Sequence, residues 1–182
     1  MQTDKIILGI DPGTSLTGYG LIHIKKQKMI MIQMGVINLT KLSSHELKLK
    51  KIFDRTLNLI DEYKPDELAI EAPFFGKNVQ SMLKLGRAQG VAMSAGLYRN
   101  IPIFEYAPKK IKMAITGKGT SSKQQVASML KSILNITEMP KNLDASDGLA
   151  AAVCHHFQRH DNKSKSYSNW KSFIQKNPKK IK

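Results

Sequence analysis

Hydrophobic and polar positions alternate first in short runs and later in helical stripes. KIILGID (5–11) is an apolar run closed by an aspartate, and GYGLIHI (18–24) and KMIMIQMGVI (28–37) follow it, each after residues that favour turns. DPGTSLTG, between the first two runs, reads as a loop. The three runs predict consecutive antiparallel strands. A helix then opens at Ser43, where Glu46 three residues on suggests a capping box. Leu49, Ile52, Phe53, Leu57, Ile60 and Tyr63 recur along it at helical spacing, and Pro65 ends it. ELAIE (67–71) predicts a fourth strand, Val79 to Tyr98 a long helix and IPIFEYA (101–107) a fifth strand. Two helical pieces flank Gly117-Lys118-Gly119, and a last helix runs from Asp144 to about Phe157. This order predicts an α/β fold, a five-stranded mixed sheet flanked by helices. Beyond His160 the chain turns polar and rich in Lys and Ser, so residues 1–157 read as one domain and 158–182 as a basic, disordered tail.

Size and composition agree with one globular domain: 182 residues, 41% hydrophobic and 24% charged. A single cysteine, Cys154, excludes a disulfide framework and a four-thiolate zinc site and reads as a small buried residue. No apolar run reaches the roughly 18 residues of a membrane span, and the N-terminus has no secretory signal pattern, which points to the cytoplasm. Charge changes the picture more. The chain carries 29 Lys+Arg against 14 Asp+Glu, a net +15. Residues 72–137 hold ten bases and a single acid, Glu105, whereas an ordinary solvated surface mixes both signs. Such an excess suits a polyanionic partner, because neutralising phosphates releases bound counterions.

Against that background four acids stand out. Asp11 ends the first strand, Glu71 ends the fourth, and Asp144 and Asp147 lie three apart at the start of the last helix. Each has a plain explanation: Asp11 as a turn former before Pro12-Gly13, Glu71 as an exposed strand end, Asp144 as an N-cap, Asp147 as a helix-dipole acid. Together, in a chain short of acids, they suggest more. If the first and fourth strands are neighbours, the acids meet at strand ends, where open sheets place their ligands. Four gathered carboxylates repel one another unless cations sit among them, and hard oxygen ligands suit Mg²⁺ or Mn²⁺. Two such ions about 4 Å apart can clamp a phosphodiester.

GIDPGTSLTGYG (9–20), AIEAPFFGKN (69–78), LKLGRAQGV (83–91) and DASDGLAAAVCHH (144–156) resemble, in order and spacing, the signature segments of the RuvC family of Holliday junction resolvases. The resemblance spans residues 5–157 and implies a ribonuclease H-like fold and a homodimer that pairs through the long helix. It also implies a Mg²⁺-dependent endonuclease that resolves four-way DNA junctions by paired symmetric nicks, leaving 5′-phosphate and 3′-hydroxyl ends. The family works with the RuvA–RuvB branch-migration machinery. By motif position, Asp11, Glu71, Asp144 and Asp147 become catalytic and metal-binding, with two Mg²⁺ ions per site that Mn²⁺ can replace. Phe74 becomes an aromatic platform for unstacked bases, and Lys112 and Lys123 lie near the scissile phosphate. Phe75, Lys77 and Lys118 join the expected DNA contacts. Some relatives carry His at the position of Asp144, and the tail has no counterpart.

Other residues keep two readings. Ser121 or Ser122 can cap the helix at Lys123 with Gln124 or Gln125 as box partner; a lysine at a helix start then favours a bound phosphate, the alternative being a solvated lysine. Gly117 and Gly119 suggest a loop that stays mobile until DNA arrives. Gly86, Gly90 and Ser94 form a stripe for close approach of the helix's own sheet or of a second subunit. His155 returns to the helical face of Asp144 but lies roughly 16 Å along the axis, too far to share a metal, so it and His156 read as surface or core. Two rival functions are weighed. The DPGT loop resembles the first phosphate loop of actin-like phosphotransferases, but the second glycine-rich loop is missing and no GxxxxGK[ST] occurs. A non-catalytic junction-binding module would be expected to have lost one of the acids, and all four are present.

Overall fold

The computed structural model describes residues 4–26, 28–73, 78–140 and 142–164, with the side chains of 160–164 left out. Five strands form one sheet: β1 (Lys5–Asp11), β2 (Leu16–Lys25), β3 (Lys28–Asn38), β4 (Glu67–Glu71) and β5 (Ile103–Tyr106), in the order β3-β2-β1-β4-β5. β1–β2 and β2–β3 are antiparallel, as two short connections require; β1–β4 and β4–β5 are parallel, joined by helical crossovers. This is the ribonuclease H-like arrangement. Helices α1 (His45–Tyr63) and α2 (Val79–Tyr98) complete the crossovers, and α3 (Pro108–Thr116), α4 (Lys123–Leu134) and α5 (Asp144–Ser164) follow β5.

Strand alternation decides what each face carries. Leu8 and Ile10 of β1 with Leu68 and Ile70 of β4 pack against Ile52, Leu59 and Ala92 of α1 and α2. Ile7 and Ala69 point the other way, into a core with Ile111, Val126 and Leu149 of α3, α4 and α5. By the same period of two, Asp11 and Glu71 fall on the α5 side. That helix lies almost on the sheet backbone. A Cβ on Gly18 would stand 2.0 Å from the carbonyl oxygen of Asp144, and one on Gly148 would stand 2.5 Å from Tyr19 Cα. These two glycines let the start of α5 settle beside the end of β1.

The helix caps sharpen the expectations from sequence. The α1 cap is Ser44, one residue later than expected, its hydroxyl accepting from Leu47 N–H at 3.3 Å. The α4 box is complete: Ser122 Oγ accepts from Gln125 N–H and Gln125 Oε1 accepts from Ser122 N–H at 2.9 Å. Gly117 caps α3 in the left-handed region (φ 75°). The loop behind it is tied down by Thr116, whose hydroxyl lies 2.8 Å from that of Ser121. The stripe on α2 turns away from its own sheet: Ala88, Ala92 and Ala95 are buried, while Gly86 and Gly90 have open space beyond their Cα atoms. α5 runs past Phe157 to Ser164. No described helix is long and apolar enough to cross a membrane.

Candidate active site

The β1–β4 ladder pairs Ile10 with Ile70, so the next residues on each strand, Asp11 and Glu71, are neighbours at the carboxyl edge of the sheet. Asp144 and Asp147 come to the same edge on the first turn of α5. Asp144 does not cap that turn; the side-chain oxygen of Asn142 accepts from Asp144 N–H at 3.0 Å instead. The two aspartates are bridged by a lysine: Lys123 Nζ donates to Asp144 Oδ1 at 2.8 Å and to Asp147 Oδ2 at 2.6 Å. The capping box at Ser122 therefore sets a cation directly in front of the acids.

A cleft of about 550 Å³ opens beside them. Asp11, Glu71, Asp147, Lys112 and Lys123 line it, with Ile111 and Val126 behind. A second recess of about 330 Å³ shares Asp11 and Glu71 and adds Asp144. Asp11 and Glu71 thus line both spaces, Asp147 the larger one with Lys112 and Lys123, and Asp144 the smaller. Lys118 is exposed in the α3–α4 loop and does not line the cleft. Phe74, Phe75 and Lys77 lie outside the described residues.

Burial and mutual repulsion act on these carboxyls. Burial first, then the charge of Asp147, pushes the Asp11 carboxyl up to about 7, with Lys123 pulling the other way. Burial and the charges of Asp11 and Asp147 push Glu71 up to about 8. Burial also raises Asp147, against the pull of its hydrogen bond from Lys123. For Lys123, burial favours the neutral amine, but the two aspartate hydrogen bonds outweigh it and hold the ammonium charged. Carboxylates that repel one another in a partly dry site are stabilised by protons or by cations. As the side chains stand, no group of three or more His, Cys, Asp or Glu among the described residues is gathered into a ready metal cage; Lys123 occupies the gap between Asp144 and Asp147. The donor set itself, four carboxylates with no thiolate or imidazole, fits a hard divalent cation.

At the opposite edge of the same elements lies a group that sequence reasoning did not single out. Glu67, at the start of β4 and 5% exposed, accepts from Lys5 Nζ at 2.5 Å, from His155 Nε2 at 2.9 Å and from the Arg159 guanidinium. His155 Nδ1 lies 2.6 Å from Tyr106 Oη. His155 is therefore core, as one of its two readings held, but polar core. The available signal was an acid opening an otherwise apolar strand and a histidine ending the run AAAVCHH. Cys154 is buried beside it, as expected.

The comparisons with known proteins agree with this geometry. Residues 7–155 match the family model described as crossover junction endodeoxyribonuclease RuvC. The chain is 63% identical, over all of its length and 95% of the relative's, to the crossover junction endodeoxyribonuclease RuvC of Christiangramia forsetii. It is 61% identical, over 98% of its length and 89% of the relative's, to the protein of that name from Cytophaga hutchinsonii. Among solved structures, T. thermophilus RuvC in complex with Holliday junction substrate superposes with a TM-score of 0.80 at 28% identity, covering 87% of this chain and 96% of that one. The chain belongs to the RuvC family of crossover junction endodeoxyribonucleases.

Proposed function

We propose that the protein is the endonuclease that resolves four-way DNA junctions, hydrolysing one phosphodiester in each of two symmetric strands to leave 5′-phosphate and 3′-hydroxyl ends. One observation carries this reading: Asp11, Glu71 and Asp147 converge from β1, β4 and α5 on one lysine-lined cleft, and Lys123 ties Asp144 to it. The family match and the superposition on a relative bound to Holliday junction substrate support it.

Asp11, Glu71, Asp144 and Asp147 are the residues that would hold Mg²⁺, two ions per site, or Mn²⁺ in its place. Bound there, the cations supply Lewis-acid activation of water and stabilisation of the leaving oxygen. The chain's own groups do the rest. Buried carboxylates give the site a net negative charge that only cations or protons relieve. Lys112 and Lys123 face the same cleft and neutralise phosphate oxygens, with Lys123 held at the start of α4 by the Ser122 box. Phe74 stacks against an unpaired base, with Phe75, Lys77 and Lys118 as further DNA contacts. Two copies pair through the outward stripe of α2, Gly86, Gly90 and Ser94, which places two sites against the two strands of one junction. We assign the nuclease domain to residues 1–157 and the basic tail to 158–182, the first residues of which continue α5 to Ser164, with RuvA–RuvB as partner machinery in the cytoplasm.

The test is cleavage of a synthetic mobile four-way junction, set beside linear duplex and forked DNA, with and without Mg²⁺. Paired nicks confined to the junction and to reactions with divalent cation are expected. Binding without nicking under every cation condition would instead make the chain a non-catalytic junction-binding module.

A further inference from the structure

The geometry points to Tyr106, His155 and Glu67 as positioning residues for the active site: a buried polar clamp that joins the far ends of β1, β4 and α5 and so sets where α5 stands along the sheet. This rests on the reading that the four acids act together with divalent cations.

The clamp ties together the elements that carry those acids. Lys5 begins β1, which ends in Asp11; Glu67 begins β4, which ends in Glu71; His155 and Arg159 lie on α5, which starts at Asp144. Tyr106 stands opposite Glu71 in the β4–β5 ladder, and its carbonyl accepts from Ala72 N–H at 2.9 Å. The chain of contacts thus starts beside one acid and ends under another strand. Its polarity is fixed by partners. A carboxylate only accepts, so His155 Nε2–H donates to Glu67, and Nδ1 accepts from Tyr106 O–H. Lys5 and Arg159 already balance Glu67, so a second charge on the ring is unfavourable, and burial with the nearby Lys5 ammonium holds His155 neutral, down at about 4. Phe104 covers the ring at 4.3 Å between centroids.

Between clamp and acids, the contact is smooth. Gly9 and Gly18 of the sheet meet Gly148, Ala152 and the Asp144 backbone of α5 at backbone range. Short side chains offer little to stop a helix sliding along its axis, whereas hydrogen bonds of 2.6 and 2.9 Å to β5 and β4 do. A buried polar group of this kind is weak evidence for stability, since well-packed apolar residues often serve as well or better. What it supplies is a defined register. A slip of ~1 Å at a reacting site can cost ~100-fold in rate.

The experiment compares Tyr106→Phe and Glu67→Gln with Leu59→Ala, a core change on the opposite sheet face, all at a temperature where each is folded by circular dichroism. Two readouts are taken: Mn²⁺ binding by electron paramagnetic resonance without DNA, and the Mg²⁺ midpoint for junction nicking. Both clamp variants should raise the half-saturating cation concentration about tenfold or more, and the double variant should cost less than the two singles combined. Leu59→Ala should leave both midpoints alone while lowering the melting temperature. Unchanged midpoints in the clamp variants, or an equal rise in Leu59→Ala, would reduce the network to ordinary core. If Glu67→Gln does not fold, Tyr106→Phe against Leu59→Ala decides. Nicking that survives Asp11→Asn would sink the four-acid reading itself, and the clamp's role with it.

Discussion

Strand β4 carries a glutamate at each end, on the same face of the sheet, and the two are treated in opposite ways. Glu67 is 5% exposed and takes hydrogen bonds from a lysine, an arginine and a histidine. Glu71 faces Asp11 and Asp147, and burial with their charges pushes its carboxyl up to about 8. Burial alone does not distinguish them; the sign and number of the surrounding charges do. Glu67 already has two cations and a histidine N–H on its oxygens. Glu71 sits in a deficit of positive charge that Lys123 and Lys112 only partly relieve. An acid matched by cations and an acid crowded by other acids can thus occur four residues apart, and the difference lies in what the neighbouring elements bring.

Exchanging each glutamate for glutamine gives the largest contrast. Glu71→Gln should abolish junction nicking, as should Asp11→Asn and Asp147→Asn, while junction binding in gel shift stays intact or tightens, because phosphate affinity resides in lysines. Glu67→Gln should keep nicking at saturating Mg²⁺ but lose about 1–3 kcal/mol of stability, since it takes the counter-charge from the partly exposed Lys5 and Arg159 and disturbs the bond to buried His155. A Glu71→Gln enzyme that cuts near the wild-type rate would remove that residue from the metal site.

Lys123 comes next. It bridges Asp144 and Asp147. Lys123→Met should lower nicking by ~100-fold, the scale of losing one preorganised charge-stabilising group. Mn²⁺ binding without DNA should hold or tighten, because no ammonium then competes for the aspartates. Weaker Mn²⁺ binding would mean that the lysine organises the acids rather than competing with cations. Phe74→Ala should weaken junction cleavage by roughly 5- to 150-fold, the worth of one base stack, with an unchanged melting temperature.

Much of this was legible in the sequence. The apolar runs of β1 and β4 and the stripe of α1 follow from local patterning, and the four acids were readable because strand ends and a helix start carried them. Their meeting was legible only on the condition that β1 and β4 are neighbours, and otherwise through the resemblance. The approach of α5 depends on Gly18 and Gly148 contacting a backbone far away in sequence, and no local pattern shows which strand a glycine will face. The clamp was hidden for the same reason: Glu67, Tyr106 and His155 lie on three elements, and each looks ordinary in its own segment. The α2 stripe kept two readings because small residues permit close approach without saying to what; the helix buries its alanines and leaves open space over Gly86 and Gly90, which removes its own sheet as the neighbour.

The two edges also titrate with opposite sign. Asp11 and Glu71 rise from ordinary values of 3.8 and 4.5 to about 7 and about 8, so the folded state holds their protons more tightly than the unfolded chain. Their contribution to stability is present below the ordinary values and is lost as pH climbs through that window. His155 moves from 6.5 down to about 4, so its contribution is present above the ordinary value and is lost as pH falls through the window below it. In EDTA, Asp11→Asn should therefore melt higher than wild type at pH 8, by about 2–4 °C for each kcal/mol relieved. Saturating Mg²⁺ should reverse the order, because only wild type gains binding energy from the cation. A variant that melts lower than wild type in EDTA at pH 8 would show that Asp11 is already satisfied without cations.

The smallest effect tests whether position, rather than stability, links a helix cap to the acids. Ser44 and Ser122 both cap a helix, each accepting from the backbone N–H three residues on, at 3.3 and 3.2 Å. Replacing either with alanine should cost about 1 kcal/mol, hence a melting temperature lower by about 2–4 °C. The helices differ in what they carry. α1 packs on the sheet face away from the acids, whereas α4 begins at Lys123, whose ammonium faces them. Ser122→Ala removes the bond that Ser122 Oγ accepts from Gln125 N–H and leaves only the Gln125 half of the box, so the first turn of α4 loosens where Lys123 is attached. Nicking by Ser122→Ala should therefore fall several-fold, within the tenfold that about 1.4 kcal/mol represents, while Ser44→Ala nicks at the wild-type rate. Equal melting losses with equal nicking would show that Lys123 finds its place without the cap, leaving α4 a support for the core alone.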